Sequence, residues 1–511
     1  MGVAHRPSSI GAVAAVMMLC TALIAGTTGT SYAKEVLSDT VIVSNYGAAF
    51  AGSLETFIAG SLNNASPFKD VKGGNTLLGA ATGPAGDAQS SITGQIAVTN
   101  PLQLIAFTPF LNGWISIFSA GANGNSQPDA VIASPTGVGA PDLTGLDLPQ
   151  GVAYSDGFVI GSDEIAVSNF AVVVVGPDLD IPGLGLCTPN SPGFSLGTIT
   201  EYPTDGLTPF SPGFNGVNDI PPTNNTPVTA LITPPPPALP FEISQNATIG
   251  GCDTYLAGPV GVAFDSTGDL FAVNAGFVPT TSYVTAYDPN LPAPYGGFGN
   301  ALPIAIVGAG PANELTPSPL VDPAFVAVET GPVVDVDDVP LPQDIIFVTD
   351  AGDNSIKIFA PFYPASCFTE DLPFACAGLE LAEIQGSKTK LKRPQGIAID
   401  PAGNLYVVNN TISTLEEFSA ETVESVIEAG GTQNVRASYM LPGVIGNRNK
   451  PKMSLPVGLA LQAFTPTPAP TGTSTVIPPT PTATDTPTAT ATPTLTATPS
   501  PTETIGQRGA P

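Results

Sequence analysis

The sequence predicts an all-β protein, a ring of six four-stranded sheets forming a six-bladed β-propeller, on three observations. Three short elements recur six times in constant order between residues 34 and 464. Gly (55) and Pro (56) are abundant among the 511 residues while only 11% are charged, which suits strands cut by tight turns and opposes long helices. The first and last copies are each incomplete, and each supplies what the other lacks.

The first element is Pro-x-Gly-x-Ala, starting at Pro84, Pro149, Pro259, Pro394 and Pro456, with a degenerate copy at Pro323 in which Phe325 replaces the glycine. The second is an apolar run ending in Asn or Asp: 41–45, 96–100, 165–169, 270–274, 346–350 and 405–409. The third places an aliphatic residue three positions before an aromatic, as in Leu54…Phe57, Ile115…Phe118, Ile199…Tyr202, Val284…Tyr287, Ile356…Phe359 and Leu415…Phe418. Runs of four to six apolar or alternating residues between Gly/Asp turns read as strands. Asp265–Asp269 and Asp400–Asn404 have hairpin composition, their glycines supplying a positive φ. Fourth strands are expected at 229–232, 303–307 and 423–427. The N-terminal copy starts at the second element and the C-terminal copy stops after the first, so the two ends should share one blade and close the ring, protecting sheet edges.

These motifs resemble NHL repeats, most clearly over Arg393–Phe418 and Pro259–Asn274, and the likeness spans residues 34–464 outside the insertions. The resemblance implies a six-bladed propeller, in a family that includes both binding platforms and enzymes. Similar lyases use histidine, either as a zinc ligand or in the tunnel, and the only histidine here is His5. Gluconolactonase-like propellers hold a divalent cation with Glu, Asn and Asp, one Asn preceding the glycine of the first element. The equivalent positions here are Ala85, Gln150, Val260, Ala324, Gln395 and Val457, so that metal set is not reproduced and no metal or other cofactor is expected.

His5-Arg6, an apolar core from Ile10 to Ala25 and the small residues of Ser31-Tyr32-Ala33 read as a signal peptide, residues 1–33, cleaved after Ala33. The core is shorter than the ~20 residues of a membrane span, so no span is expected after cleavage. Cys20 lies inside that core without the small residues a lipoprotein signal needs before it. The location expected is secreted or extracytoplasmic. Without His5 the chain cannot build a Ser-His-Asp triad, a Cys-His pair or a His-ligated zinc site. Cys187, Cys252, Cys367 and Cys376 remain, an even number that reads as two disulfides in an exported chain; proximity favours Cys187–Cys252 and Cys367–Cys376, though three connectivities exist. Residues 465–511 are dominated by Thr-Pro units and are expected to form a disordered spacer or stalk.

The net charge of −28 opposes nucleic-acid binding through the bulk surface. Yet eight of the thirteen cations after Ala33 fall within 388–452: Lys388, Lys390, Lys392, Arg393, Arg436, Arg448, Lys450 and Lys452. They are expected on two consecutive blade-to-blade connections, forming a patch for an anionic extracellular partner, protein or polysaccharide; the alternative is a solvated loop. A second candidate is the ring of strand ends, Asn45, Asn100, Asn169, Asn274, Asp350 and Asn409, which at a channel mouth could take a sugar or, as a weaker expectation, Ca²⁺. Against this stands the favoured reading, that Asn and Asp end strands by bonding turn backbone. The run Asp335–Asp338 reads as a solvated acidic turn, and the insertions 176–197, 233–256 and 362–378 as recognition loops or disulfide-held padding. The function expected is non-catalytic binding or scaffolding. The alternative is a lactonase-like hydrolase or lyase acting in the tunnel through carboxylate and cation chemistry.

Overall fold

The computed structural model describes residues 40–46, 52–59, 66–73, 75–78, 85–91, 93–101, 113–133, 146, 148–155, 164–170, 197–203, 248–249, 256–265, 268–275, 282–288, 303–308, 319–329, 333–336, 339–342, 344–360, 377–442 and 453–462. The expected signal segment, the Thr/Pro tail, the four cysteines after Ala33 and the expected strand at 229–232 lie outside the described residues.

Six blades form the ring, and the outer strands of blades 4 and 5 pair with each other. Blade 1 contains β1 (Thr40–Asn45), β2 (Ser53–Ile58) and β3 (Lys69–Lys72). Blade 2 is β4 (Gly86–Gln89), β5 (Ile96–Asn100), β6 (Trp114–Phe118) and β7 (Ala130–Ala133). Blade 3 is β8 (Pro149–Tyr154), β9 (Glu164–Asn169), β10 (Thr198–Pro203) and β11 (Thr248–Ile249). Blade 4 is β12 (Pro259–Phe264), β13 (Leu270–Asn274), β14 (Tyr283–Tyr287) and β15 (Ala305–Val307), the last meeting the expected fourth strand.

Blade 5 opens with β16 (Pro323–Glu329), then a hairpin of β17 (Val333–Val336) and β18 (Val339–Pro342) across the acidic run, of which Asp337 and Asp338 are not described. It continues through β19 (Ile345–Asp350), β20 (Ser355–Ala360) and β21 (Ala377–Ile384). Blade 6 has β22 (Pro394–Ile399), β23 (Leu405–Asn409), β24 (Thr414–Phe418) and β26 (Tyr439–Pro442), and between the last two lie α1 (Ala420–Ala429) and β25 (Gly431–Gln433), which pairs parallel with β21 of blade 5. β27 (Pro456–Gln462) returns to blade 1 and pairs antiparallel with β1, Thr40 opposite Gln462, which closes the ring as expected.

One expectation is corrected. Residues 423–427 are helical, and the fourth strand of blade 6 is β26, paired with β24. The run Val423-Glu-Ser-Val426-Ile427 looked like a strand because it is short and β-branched. Its apolar residues are three and four apart, so they share one helix face, and Val423 and Val426 are buried between blades 5 and 6. Gly430 ends the helix with φ 65°.

The third element now has a cause. Residues three apart on a strand point to opposite faces. In every blade the aliphatic member faces the next blade and the aromatic faces the preceding one. Leu54 meets Phe118, Ile115 meets Tyr202, and Ile199 meets Tyr287. Val284 then meets Phe359, Ile356 meets Phe418, and Leu415 meets Phe57. These six clusters are the six interfaces between blades, and all six aromatics are at most 1% exposed.

The first element is explained by the inner ring. A Cβ on Gly86 would sit 2.6 Å from the Gln150 carbonyl oxygen, one on Gly151 2.6 Å from that of Val260, and one on Gly261 2.6 Å from Phe325 Cα. Gly396 meets Leu459 N at 2.6 Å and Gly458 meets Asp87, completing the circuit. Hydroxyls of the second element staple the same seam. Ser168 Oγ accepts from Gly151 N (2.8 Å) and donates to the Val260 carbonyl (2.9 Å); Thr349 Oγ1 accepts from Phe325 N (3.0 Å) and donates to that of Gln395 (2.7 Å). Gly151→Ala is therefore expected to destabilise the fold by about 1–3 kcal/mol, the usual cost of overpacking. Thermal unfolding checks it, and a Tm equal to that of the parent would remove the close-packing argument.

Candidate functional site

Antiparallel strands sort the connections onto two faces. The strand 2–3 turns and the links to the next blade share one face, here the upper; the strand 1–2 and 3–4 turns share the lower. Lys388, Lys390, Lys392 and Arg393 lie on the upper link between β21 and β22. Arg436 instead lies within blade 6, on the segment leading into β26, so it does not belong to a blade-to-blade link. Arg448, Lys450 and Lys452 fall outside the described residues.

The link backbone is anchored throughout. Gln385 Nε2 donates to the Asp353 carbonyl (3.0 Å), Lys388 N to Asn434 Oδ1 (2.9 Å), Lys392 N to Asn409 Oδ1 (2.8 Å) and Arg393 N to Asn354 Oδ1 (2.9 Å). Thr389 and Leu391 are buried, at 0% and 3%, while Lys388, Lys390 and Lys392 between and beside them are exposed. The alternation sets three ammonium groups on the outside of a fixed strap. Beside it lies a cavity of about 560 Å³, lined by Asp353 and Asn354 of the β19–β20 turn, by Lys390, Leu391 and Lys392, and by Ile412 of the β23–β24 turn.

Asp353, the carboxylate in that lining, is already engaged. Its Oδ2 lies 2.8 Å from Lys357 Nζ, which also lies 2.5 Å from Glu383 Oε1, and Thr432 Oγ1 donates to Glu383 Oε2 at 2.8 Å. Burial pulls the Lys357 amine down, but the bonds to Asp353 and Glu383 outweigh it and raise it overall. Among the described residues Lys388, Lys390 and Lys392 make no ion pair. Arg393 reaches Asp322 at 3.7 Å between two well-exposed side chains, a contact of little energy. The wall therefore carries exposed cations, of which Lys390 also acts on the buried Glu416 carboxyl. Its unusual backbone is not part of this chemistry: Arg393 has φ 47°, but Leu148 (51°), Gly258 (64°) and Leu455 (53°) do the same before their own prolines. In each case the carbonyl accepts from the backbone beyond the strand-ending Asn, as from Asn410 N at 3.1 Å.

The six strand ends are fully buried, at 0% exposure, and most of their polar groups are bonded inside the blades, Asn100 Oδ1 being an exception. Asn274 Nδ2 donates to the Ala272 carbonyl (3.2 Å) and Thr285 Oγ1 (3.1 Å), while its Oδ1 accepts from Ala257 N (2.8 Å). Asn409 and Asn45 make the same kind of clamp on Lys392 N and Ser454 N. Asp350 accepts from Val321 N and Asp322 N at 2.7 and 2.9 Å. Asn100 Nδ2 and Asn169 Nδ2 donate to Ser116 Oγ (3.3 Å) and Thr200 Oγ1 (3.0 Å). Asn45, Asn274, Asp350 and Asn409 tie their links to the second strand, and all six, being buried, present no accessible ring to a sugar or cation.

Sequence reasoning missed a buried carboxylate group on the lower face. One oxygen from each of Asp265, Asp269 and Asp344 lies within 4.8 Å of the others, the described arrangement that could hold a hard cation. Blade 6 shows what the hairpin is built for: Asn404 Nδ2 donates to Asp400 Oδ2 at 2.8 Å. Blade 4 has Asp269 at that position, and this Asn-to-Asp exchange between aligned repeats was the available signal. Burial first, then Asp288, Asp265 and Asp344, push the Asp269 carboxyl up to about 9. Other carboxyls are raised mainly by burial. Glu55 and Asp87 reach about 7, and Glu201 and Glu416 about 8.

No family model and no curated protein matches the chain. Among solved structures it is similar to a protein of unknown function from Bacteroides caccae, at 7% identity and TM-score 0.39, covering 83% of this chain and 99% of that one. It is also similar to a protein from Lactobacillus plantarum, at 12% identity and TM-score 0.37, with the same two coverages. Virginiamycin B lyase from Staphylococcus aureus matches at 12% identity and TM-score 0.26, over 74% and 77%. The class rests on the strand pairing itself: a six-bladed β-propeller. Among the described residues no helix is long and apolar enough to cross a membrane.

The five raised carboxyls keep their protons in the folded chain at pH values where the unfolded chain, near 3.8 for Asp and 4.5 for Glu, has released them. Stability is thus expected to fall as pH rises from about 4 to about 9. Asp269→Asn, which restores the blade 6 arrangement, should raise Tm at pH 8 by about 2 °C or more and leave it unchanged near pH 4. Calorimetry across pH checks both, and a parent Tm that climbs from pH 5 to 8 would contradict the burial argument.

Proposed function

We propose that this chain is an exported, non-catalytic binding or scaffold propeller that recognises carboxylate- or sulfate-bearing groups of an extracellular protein or polysaccharide. The upper cavity between blades 5 and 6 is the binding site. The observation that carries the reading is the strap of Lys388, Lys390 and Lys392 beside that cavity, its backbone fixed and its ammonium groups without ion pairs among the described residues. A fixed cationic wall on an otherwise strongly acidic chain selects anions. The N-terminal apolar core supports export, and the NHL-like repeats support a platform role. Arg448, Lys450 and Lys452 would extend the patch from the next link.

The alternative, cation-assisted hydrolysis or lyase chemistry, has one supporting observation, the Asp265–Asp269–Asp344 group. Those carboxylates are at most 5% exposed, which favours a role in holding the fold over contact with substrate.

Replacing Lys388, Lys390 and Lys392 together by Gln is expected to weaken binding of poly-L-glutamate or a sulfated polysaccharide by roughly tenfold or more, with a shallower salt dependence. Fluorescence anisotropy at two salt concentrations reads this. Parent affinity in the triple variant, or no binding by the parent to either polymer, would overturn the proposal.

A further inference from the structure

Glu416 of β24 is a buried acid that the repeat does not require. Blades 2, 3 and 4 place a hydroxyl at this strand position, where Ser116, Thr200 and Thr285 each accept the amide of the strand-ending Asn. Blade 6 has a carboxyl there instead, at 0% exposure. Asn409 Nδ2 gives its bond to Thr414 Oγ1 (3.0 Å), and neither Glu416 oxygen completes a hydrogen bond of normal geometry among the described residues. Burial raises the carboxyl to about 8, against the opposing effects of Asn409, Thr414 and Lys390. Glu55 holds the same position in blade 1, where the charges that act on it, Asp70 and Lys72, belong to β3 of its own blade. In blade 6 the acting charge comes from the strap.

Glu416 lies two residues before Phe418, so it shares the face that packs against blade 5, in the interface that also takes the strap's Leu391. Its neighbour Asn409 carries Lys392 N on Oδ1 at 2.8 Å. Lys390 is held at φ 63° between buried Thr389 and Leu391, a conformation that a lysine keeps only where its surroundings impose it. Around the carboxyl, β23 and β26 set Val407 and Met440 opposite it, while blade 5 presents Ile356, Ile358 and Ile384 to the interface. The charged groups of blade 5 by the cavity are Asp353, Lys357 and Glu383, which engage one another. Tyr406 and Glu417 lie on the other face of their strands, toward blade 1.

We infer that Glu416 gates the anion site: protonated, it leaves Lys390 to an incoming anion, and ionised, it takes Lys390 as its own counter-ion. This rests on the reading of the strap as an anion site and adds its regulation by pH. An ionised carboxylate in an apolar interface is costly unless a cation answers it, and Lys390 is the cation that acts here. A bound anion claims the same lysine, so the two negative charges compete. The carboxyl is neutral below about 8 and charged above it, whereas lysine ammonium groups persist to about 10. Anion affinity is therefore full in mild acid and falls as pH rises through about 8, before the lysines lose their charge. Linkage is reciprocal, so an anion bound at that pH draws a proton onto Glu416.

The test measures binding of dextran sulfate, whose charge is constant over this range, to the full chain at about pH 6 and about pH 8.5 and one ionic strength. Near-UV circular dichroism is recorded alongside, so that lost affinity is not lost fold. The parent should bind about fivefold or more weakly at the higher pH. Glu416→Gln, which mimics the neutral acid, should bind equally at both. Glu201→Gln controls for the general gain of negative charge, since Glu201 of blade 3 is also raised to about 8; this variant should weaken as the parent does. A second readout needs no variant: calorimetry near the gating pH, in buffers of different ionisation enthalpy, should show proton uptake as the polymer binds. Equal parent affinity at both pH values, a Glu416→Gln chain that weakens as the parent does, or binding without proton uptake overturns the gate and leaves the anion site standing. A parent that binds no polymer at either pH overturns the anion site, and the gate with it.

Discussion

The structure depends on how closely six inner strands approach one another. With a glycine in each first strand but that of blade 5, backbone meets backbone across the seam, and a single added carbon at Gly151 or Gly261 would meet atoms at 2.6 Å. That approach brings the second and third strands near enough for the aromatic of one blade to cover the aliphatic residue of its predecessor. The six clusters so formed are the core, because a propeller has no central core to bury. The inner glycines, the seam hydroxyls and the Asn clamps are therefore parts of one device: each holds a blade at the distance its neighbour's aromatic requires. Closure by β27 on β1 keeps all six interfaces in register, and no blade is left with a bare face.

The same packing explains the buried acids. Asp87 occupies the position held by Val152, Val262, Val326, Ile397 or Leu459 in the other blades, next to Ser44 and Gly458 at the closing seam. An aliphatic side chain there would serve packing better. A carboxyl buried at 6% exposure carries a desolvation cost unless protonated. With Glu55, Glu201, Asp269 and Glu416 raised in the same direction, the interior favours the protonated state at several separate points. The low count of cations is consistent with that interior, since few partners exist to hold these groups ionised.

Much of this was legible in the sequence, for a physical reason. Repetition multiplies a weak signal: one Leu…Phe spacing means little, but six in constant order with a Pro-x-Gly-x-Ala before each locate the strands and the closing blade. What was not legible depends on direction and on distance in the chain. The burial of Asn274 follows from Ala257 N and Thr285 Oγ1, which no spacing rule joins to it. Asp344 meets Asp265 and Asp269 across two blades. α1 was misread because Val423–Ile427 lies where every other blade has its last strand, and that expectation overrode the helical spacing of Val423, Val426 and Ile427.

A repeat also supplies its own control, and this separates function from architecture. The left-handed φ of Arg393 would suggest a strained site if seen alone, yet Leu148 shares it on a link whose sequence holds no lysine or arginine. The clamp of Asn409 on Lys392 N recurs as Asn274 on Ala257 N, so it belongs to the link and not to a ligand. What survives this subtraction in blades 5 and 6 is specific to them: the lysines of the strap, the Lys357–Asp353–Glu383 cluster that engages the one acid in the cavity wall, and the helix with its three glutamates. Blades 2, 3 and 4 pack without counterparts of these groups, although the helix also buries Val423 and Val426 in the interface of blades 5 and 6. Residues that the repeat does not need, gathered on one pair of blades, are where the proposed recognition is placed.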